Sequence, residues 1–104
     1  MKRLRIAGSA RRDLADIARY TEREWGARQR ERYLAEIEAR LRELRRNPGL
    51  GAERGDIRPD CRSLVVVSHV VFYRETGDAV EILRVLHHGM DVHLHLSGEP
   101  ESET

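Results

Sequence analysis

The feature that most constrains this chain is a change of period partway along it. Between residues 10 and 44, apolar or small side chains return every three or four positions, first as Ala10, Leu14, Ile17, Ala18, Thr21 and Trp25, then as Tyr33, Leu34, Ile37, Leu41 and Leu44. Such spacing lays one stripe along an α-helix. Gly26 divides the region into two helices, the second over 27–46, and "NPG" at 47–49 ends it. From Ser63 onward "SLVVV", "VVFYRE" and "AVEILRVLH" are rich in β-branched and aromatic residues, which suit a pleated strand, with "TGD" at 76–78 between the last two. A short first strand is read in "RLRIA" at 3–7, with Leu4 and Ile6 inward.

The order strand, helix, helix, three strands predicts an α+β domain. A helical hairpin packs both stripes onto one face of a largely antiparallel sheet whose last three strands form a meander. At 104 residues one core is expected, with a single domain over 1–96 and a disordered acidic tail, "SGEPESET", over 97–104. Ser9 is the expected cap of the first helix, Asp13 suits its first turn, and Glu36–Arg40 and Glu38–Arg42 are expected ion pairs on the second. Residues 48–60 form a Gly- and Pro-rich loop that is long for a small domain, so it is either a connector or a segment ordered for a purpose. In "VVFYRE", Val70 and Phe72 alternate with Val71 and Tyr73, so both faces are apolar although the hairpin covers only one. The other face is an expected docking surface.

Composition narrows the function classes. The net charge of +1 hides an asymmetry, since residues 1–46 hold 14 Lys/Arg and 8 Asp/Glu whereas 47–104 hold 5 and 10. A basic helical half beside an acidic strand half suits protein partners better than a continuous phosphate-tracking groove. Aromatic residues make up 5%, too few for stacking on bases to be the main mode. The single cysteine, Cys61, excludes an internal disulfide and fits a reducing compartment, so a cytoplasmic location is expected. No apolar run approaches the roughly 20 residues that span a bilayer, so no membrane partner is expected.

The stretch "ILRVLHHGMDVHLHL" at 82–96 holds four of the five histidines. As a metal site it could use His88 and His93, four residues lying between them, with Asp91, but no thiolate or helix fixes these groups and the "HLHL" alternation accounts for His93 and His95. Ser68 beside His69, and Ser97 after His95, lack the elbow or orienting acid of a nucleophile system. Ribonuclease chemistry needs a base, an acid and a cation on the phosphate, roles open in principle to Arg62, Tyr73, Arg84 and His87. Arg84 stands out because it shares a strand face with Val80, Ile82 and Leu86, and a desolvated guanidinium is costly unless paired. Asp91 is its expected partner.

Taken together, "DLADIARYTEREWGARQRERYL" and "HVVFYRETGDAVEILRVLHHGMD" resemble the ParE branch of the RelE/ParE toxins of bacterial type II toxin-antitoxin systems, over about residues 3–96. The second block is the more specific, with "FYR", "ILRVLH" and a following "MD"; Arg84, His87, Met90 and Asp91 look like the family's strand-end pattern. The resemblance implies a RelE/ParE-like fold and a non-enzymatic toxin that poisons DNA gyrase by trapping its cleaved DNA complex. It implies a ParD-type antitoxin as partner, operator DNA bound only through that antitoxin, and no cofactor, catalytic residue or metal. The alternatives are a RelE-like endonuclease that cuts ribosome-bound messenger RNA, and an inactive homologue retained as an antitoxin-binding partner. Arg58, Arg62, Arg84, His87, Met90 and Asp91 are the expected target-contacting or active-surface residues. Trp25, Tyr33, Ile37, Leu41 and Leu44 are the expected antitoxin-binding residues, with strand addition at an open sheet edge.

Overall fold

The computed structural model describes residues 1–90 together with His95 and Leu96, so Asp91, His93 and the expected tail over 97–104 lie outside the described residues. Strand β1 (Arg3–Ile6) leads into helix α1 (Gly8–Trp25) and then α2 (Ala27–Arg46), and a 3-10 turn at Pro48–Leu50 returns the chain to the sheet. Strands β2 (Ala52–Glu53), β3 (Cys61–Val66), β4 (His69–Thr76) and β5 (Ala79–His87) follow. They lie in the order β1-β5-β4-β3-β2, antiparallel throughout except that β1 runs parallel to β5. The α+β class, the hairpin and the meander follow from the change of period. Strand β2 is an addition drawn from the long loop, pairing Ala52 with Ser63 and Glu53 with Arg62.

Local chemistry explains the breaks. Gly26 sits at φ 96°, a conformation costly for any residue with a Cβ, and its N–H donates to Glu22 O at 2.8 Å to close α1. At the other end the expected Ser9 cap does not form. The helix begins at Gly8 without a side-chain cap, and Ser9 Oγ instead donates to Leu83 O at 3.0 Å. Asp13 consequently falls beyond the first turn. On α2, Glu38–Arg42 forms at 3.1 Å as expected, but Arg40 turns to Glu43 at 2.6 Å rather than to Glu36. Pairs this exposed contribute at most about 1 kcal/mol, so the surface tolerates the exchange.

Between the hairpin and the sheet, Ile17, Ile37, Leu41 and Leu44 meet Leu64, Val71, Tyr73, Val80, Ile82 and Val85, all buried. Each such aliphatic side chain contributes roughly 1.5 to 3 kcal/mol through removal from water. Tyr73 is 0% exposed and still satisfies its hydroxyl, which donates to Pro48 O and accepts from Gly51 N–H, both at 2.7 Å. A Cβ on Gly51 would lie 2.6 Å from Ser63 O and 2.7 Å from that hydroxyl, so only glycine lets the chain pass here.

The opposite face is not open, contrary to the expectation. Cys61, Phe72, Leu83 and Leu86 form a second buried cluster with Ile57 from the long loop and Leu96 from beyond β5. The loop is held by its own bonds: Arg54 N donates to Cys61 O at 2.8 Å, Ile57 N to Arg54 O at 3.0 Å and Cys61 N to Arg58 O at 3.2 Å. Arg54 also forks onto Asp56 with both contacts at 3.1 Å and stands 5.8 Å from the Phe72 ring centre. Burial pushes the Cys61 thiol above its ordinary range, against the pull of Arg58 and Arg54, and so keeps it protonated and unreactive.

A β-bulge sorts β5 between the two clusters. Phe72 pairs with Arg84 but Tyr73 pairs with Ile82, leaving Leu83 as an extra residue. The in–out alternation therefore resets: Val80, Ile82 and Val85 serve the helix side, while Leu83 and Leu86 serve the other. This corrects the expectation that Val80, Ile82 and Leu86 share one face.

Candidate functional site

Strand β1 stops at Ile6, paired with Ile82, so β5 would present a bare edge from Leu83 on. Helix α1 crosses that edge and supplies side chains in place of a strand. Ser9 meets Leu83 O, and Asp13 Oδ2 accepts the N–H of Val85 at 2.9 Å. The same carboxylate takes Arg84 in a two-point fork, Nε to Oδ2 at 2.7 Å and Nη2 to Oδ1 at 2.9 Å, while Nη1 donates to His95 O at 3.2 Å. The two side chains are 20% and 12% exposed. The hydrogen bonds that Arg84 donates to Asp13 hold the guanidinium proton more firmly than usual, against the opposing effect of burial. Among the described residues Asp13 is thus the partner of Arg84; the expected partner, Asp91, lies outside them.

Beside this pair a cleft of about 420 Å³ opens between α1 and the strand ends. Its apolar floor includes Ile17, Val85 and Leu86; Tyr20 and Met90, 57% and 43% exposed, form its rim, and His69 and His87 line it. His69 Nδ1 lies 2.5 Å from the Tyr33 hydroxyl, His87 meets His69 edge-on at 5.5 Å between ring centres, and His88 stacks on His87 at 4.6 Å. Burial, reinforced by His87 and His88, pushes His69 below its ordinary pKa, with Asp13 acting in the other direction.

The structure divides the expected site residues. His87 and Met90 line the cleft and Arg84 braces its wall, whereas Arg58 and Arg62 do not line it. Arg62 is engaged elsewhere, donating to Gly51 O at 2.8 Å and facing Glu53 at 3.5 Å. Of the five residues expected to bind an antitoxin, Ile37, Leu41 and Leu44 are 1%, 3% and 0% exposed and belong to the core. A helical stripe cannot serve the sheet and a partner at once. Trp25, 72% exposed at the hairpin tip, and the half-buried Tyr33 remain available. Sequence reasoning missed Asp13, Tyr20 and His69 as parts of one site, because nothing local marks α1 as the element that crosses the end of β5.

Comparison with known proteins agrees with this architecture. The family model for the ParE toxin of the type II toxin-antitoxin system, parDE, matches residues 4–92. Toxin ParE1 of Caulobacter vibrioides is 41% identical over 96 residues, covering 92% of this chain and 99% of that protein. Toxin ParE1 of Mycobacterium tuberculosis is 38% identical over 88 residues, covering 84% and 90%. Among solved structures, a chain described as "Chromosomal ParDE TA system from P. aeruginosa" superposes with a TM-score of 0.74 at 22% identity, covering 84% of this chain and 96% of that one, and shows the shared fold. With the family pattern extending through both helices and the whole sheet, this chain belongs to the ParE toxin family of type II toxin-antitoxin systems.

Proposed function

We propose that this ParE-family toxin acts on DNA gyrase, stabilising the cleaved DNA complex, and that a ParD-type antitoxin neutralises it in the cytoplasm. The observation that carries the non-enzymatic reading is the Arg84–Asp13 fork. Arg84, the cation of the strand end, is already committed to a carboxylate and so is not free to stabilise a phosphodiester in cleavage. Arg58, His87 and Met90, with Asp91 beyond the described residues, are the proposed target contacts, and Arg62 and Arg84 shape the surface that presents them. The parDE label of the family and the ParDE title of the structural neighbour support an antitoxin partner. It is proposed to engage Trp25, the outer side of Tyr33 and the edge of β3 past Ser63, where β2 no longer pairs. Operator DNA is reached only through that antitoxin. No cofactor enters this reading.

Incubating the purified chain with gyrase and supercoiled DNA should accumulate cleaved DNA, and the cognate antitoxin should suppress it. Normal gyrase activity together with cutting of ribosome-bound message would favour an endonuclease, for which His69 and His87 are the imidazoles lining the cleft among the described residues. Inactivity in both assays would leave an antitoxin-binding homologue.

A further inference from the structure

We propose that Tyr33 and His69, flanked by the rings of His87 and His88, form a proton-operated latch: with a neutral His69 it holds the β3–β4 hairpin tip and the end of β5 against α2, and uptake of a proton on that ring loosens both. The inference stands whatever the toxin's target.

The latch joins three elements through one hydroxyl and one turn. Tyr33, on α2, accepts from Ser68 N–H at 3.3 Å and lies 2.5 Å from His69 Nδ1, while His88 N–H donates to Ser68 O at 3.1 Å. Ser68 is thus gripped from both sides, by α2 and by the end of β5. The turn needs this grip. Its other residue, Val67, sits at φ 55° and is 59% exposed, a left-handed conformation that a β-branched side chain disfavours and that no burial of its own offsets.

Proton bookkeeping gives the direction. We assign the hydroxyl proton to His69 Nδ1, 2.5 Å away, over Val66 O at 3.4 Å, which places the ring proton on Nε2 while the Tyr33 oxygen accepts from the Ser68 amide. A proton added to Nδ1 would give the Tyr33 oxygen a second donor and turn the hydroxyl toward Val66 O, 3.4 Å away and a poor acceptor at that length. The charge would also face His87 and, through it, His88, so protons on neighbouring rings oppose one another. Among the described residues, the other charged or titratable groups around the seam are Asp13, Asp16 and Tyr20 from α1, Glu36 beside Tyr33 on α2, and Arg84 on β5. Asp13 is the acid that favours the added proton, but its two oxygens already serve Arg84 and Val85 N–H. Burial and the two neighbouring rings lower the affinity of His69 for that proton, in agreement with the geometry.

The test uses the full-length chain, observed by NMR at about pH 7.5 and about pH 5.5, on either side of the ordinary histidine range. The 15N signals should show His69 neutral with bare Nδ1 at the higher pH. Amide-exchange protection of Ser68 and His88, corrected for intrinsic rates, should fall about tenfold on acidification while that of Leu41 in α2 is kept. His69→Gln should abolish the pH response, whereas the double variant His87→Asn/His88→Asn, altering two exposed positions, should keep it and move its midpoint to higher pH, because the rings that oppose the proton on His69 are gone. Tyr33→Phe should leave Ser68 weakly protected at both pH values. Equal protection of Ser68 and His88 at both pH values, a loss shared equally by Leu41, or a full response in His69→Gln would each overturn the latch.

Discussion

The two faces of the sheet bury comparable kinds of side chain but are closed in different ways. The helix side is covered by α1 and α2, whose stripes recur every turn and place several large aliphatics over the strands. Among the described residues, the far side is covered by Ile57 of the loop and by Leu96, with Arg54 laid over Phe72. A face closed by regular elements draws on many cooperating contacts, whereas one closed by a loop and a chain end depends on a few. The first should behave as the stable core and the second as the part that opens first.

The strongest challenge to this contrast is Asp13→Ala, because Asp13 ties α1 to β5 and, through Arg84, to the backbone beneath Leu96. Leaving Arg84 half-buried and unpaired should cost about 3 to 5 kcal/mol in denaturant unfolding. A cost below about 1 kcal/mol would show that the edge does not depend on the fork. Next comes Leu41→Ala, on the helix side, expected to lose about 2 to 5 kcal/mol in a single cooperative transition. Tyr73→Phe leaves Pro48 O and Gly51 N–H without their partner and should cost about 1 to 3 kcal/mol, sharpening how far the loop depends on the helix-side core. The smallest effect is expected for Leu96→Ala, roughly 1 to 2 kcal/mol, since a chain end can resettle over the gap. Should Leu96→Ala prove as damaging as Leu41→Ala, the two faces are equivalent and the contrast fails.

Acidification probes the same contrast locally. The pKa of His69 is lowered in the fold relative to the ordinary 6.5, so the unfolded chain binds the proton more readily. This contribution to stability is therefore fully present above about pH 6.5 and declines as the pH falls through the lowered folded value.

Much of the architecture was legible because period is a local signal. The boundaries of α2, the turn at Gly26 and the three-strand meander all follow from residues a few positions apart. What was not legible depends on partners far along the chain. Asp13 and Arg84 are 71 positions apart, and Ser9 left its capping role for a carbonyl 74 positions away. The bulge at Leu83 carries no Gly or Pro to announce it, yet it decides which residues of β5 face which layer. Cover for the far face came from residues that no periodicity singles out, Ile57 and Leu96. The candidate site was half legible: the histidines and Met90 could be read from the strand end, but not the helix that completes it.

The parallel pairing of β1 with β5 has a consequence for how the toxin is born. Residues 3–6 find their neighbours only at 79–82, so the opening strand must wait for roughly 76 further residues to be synthesised, about 4 to 15 s at roughly 5–20 residues per second. Until then α1 has no strand edge to cross and the cleft has no second wall. The nascent toxin is thereby kept unfinished until β5 has emerged, however early its two helices have formed.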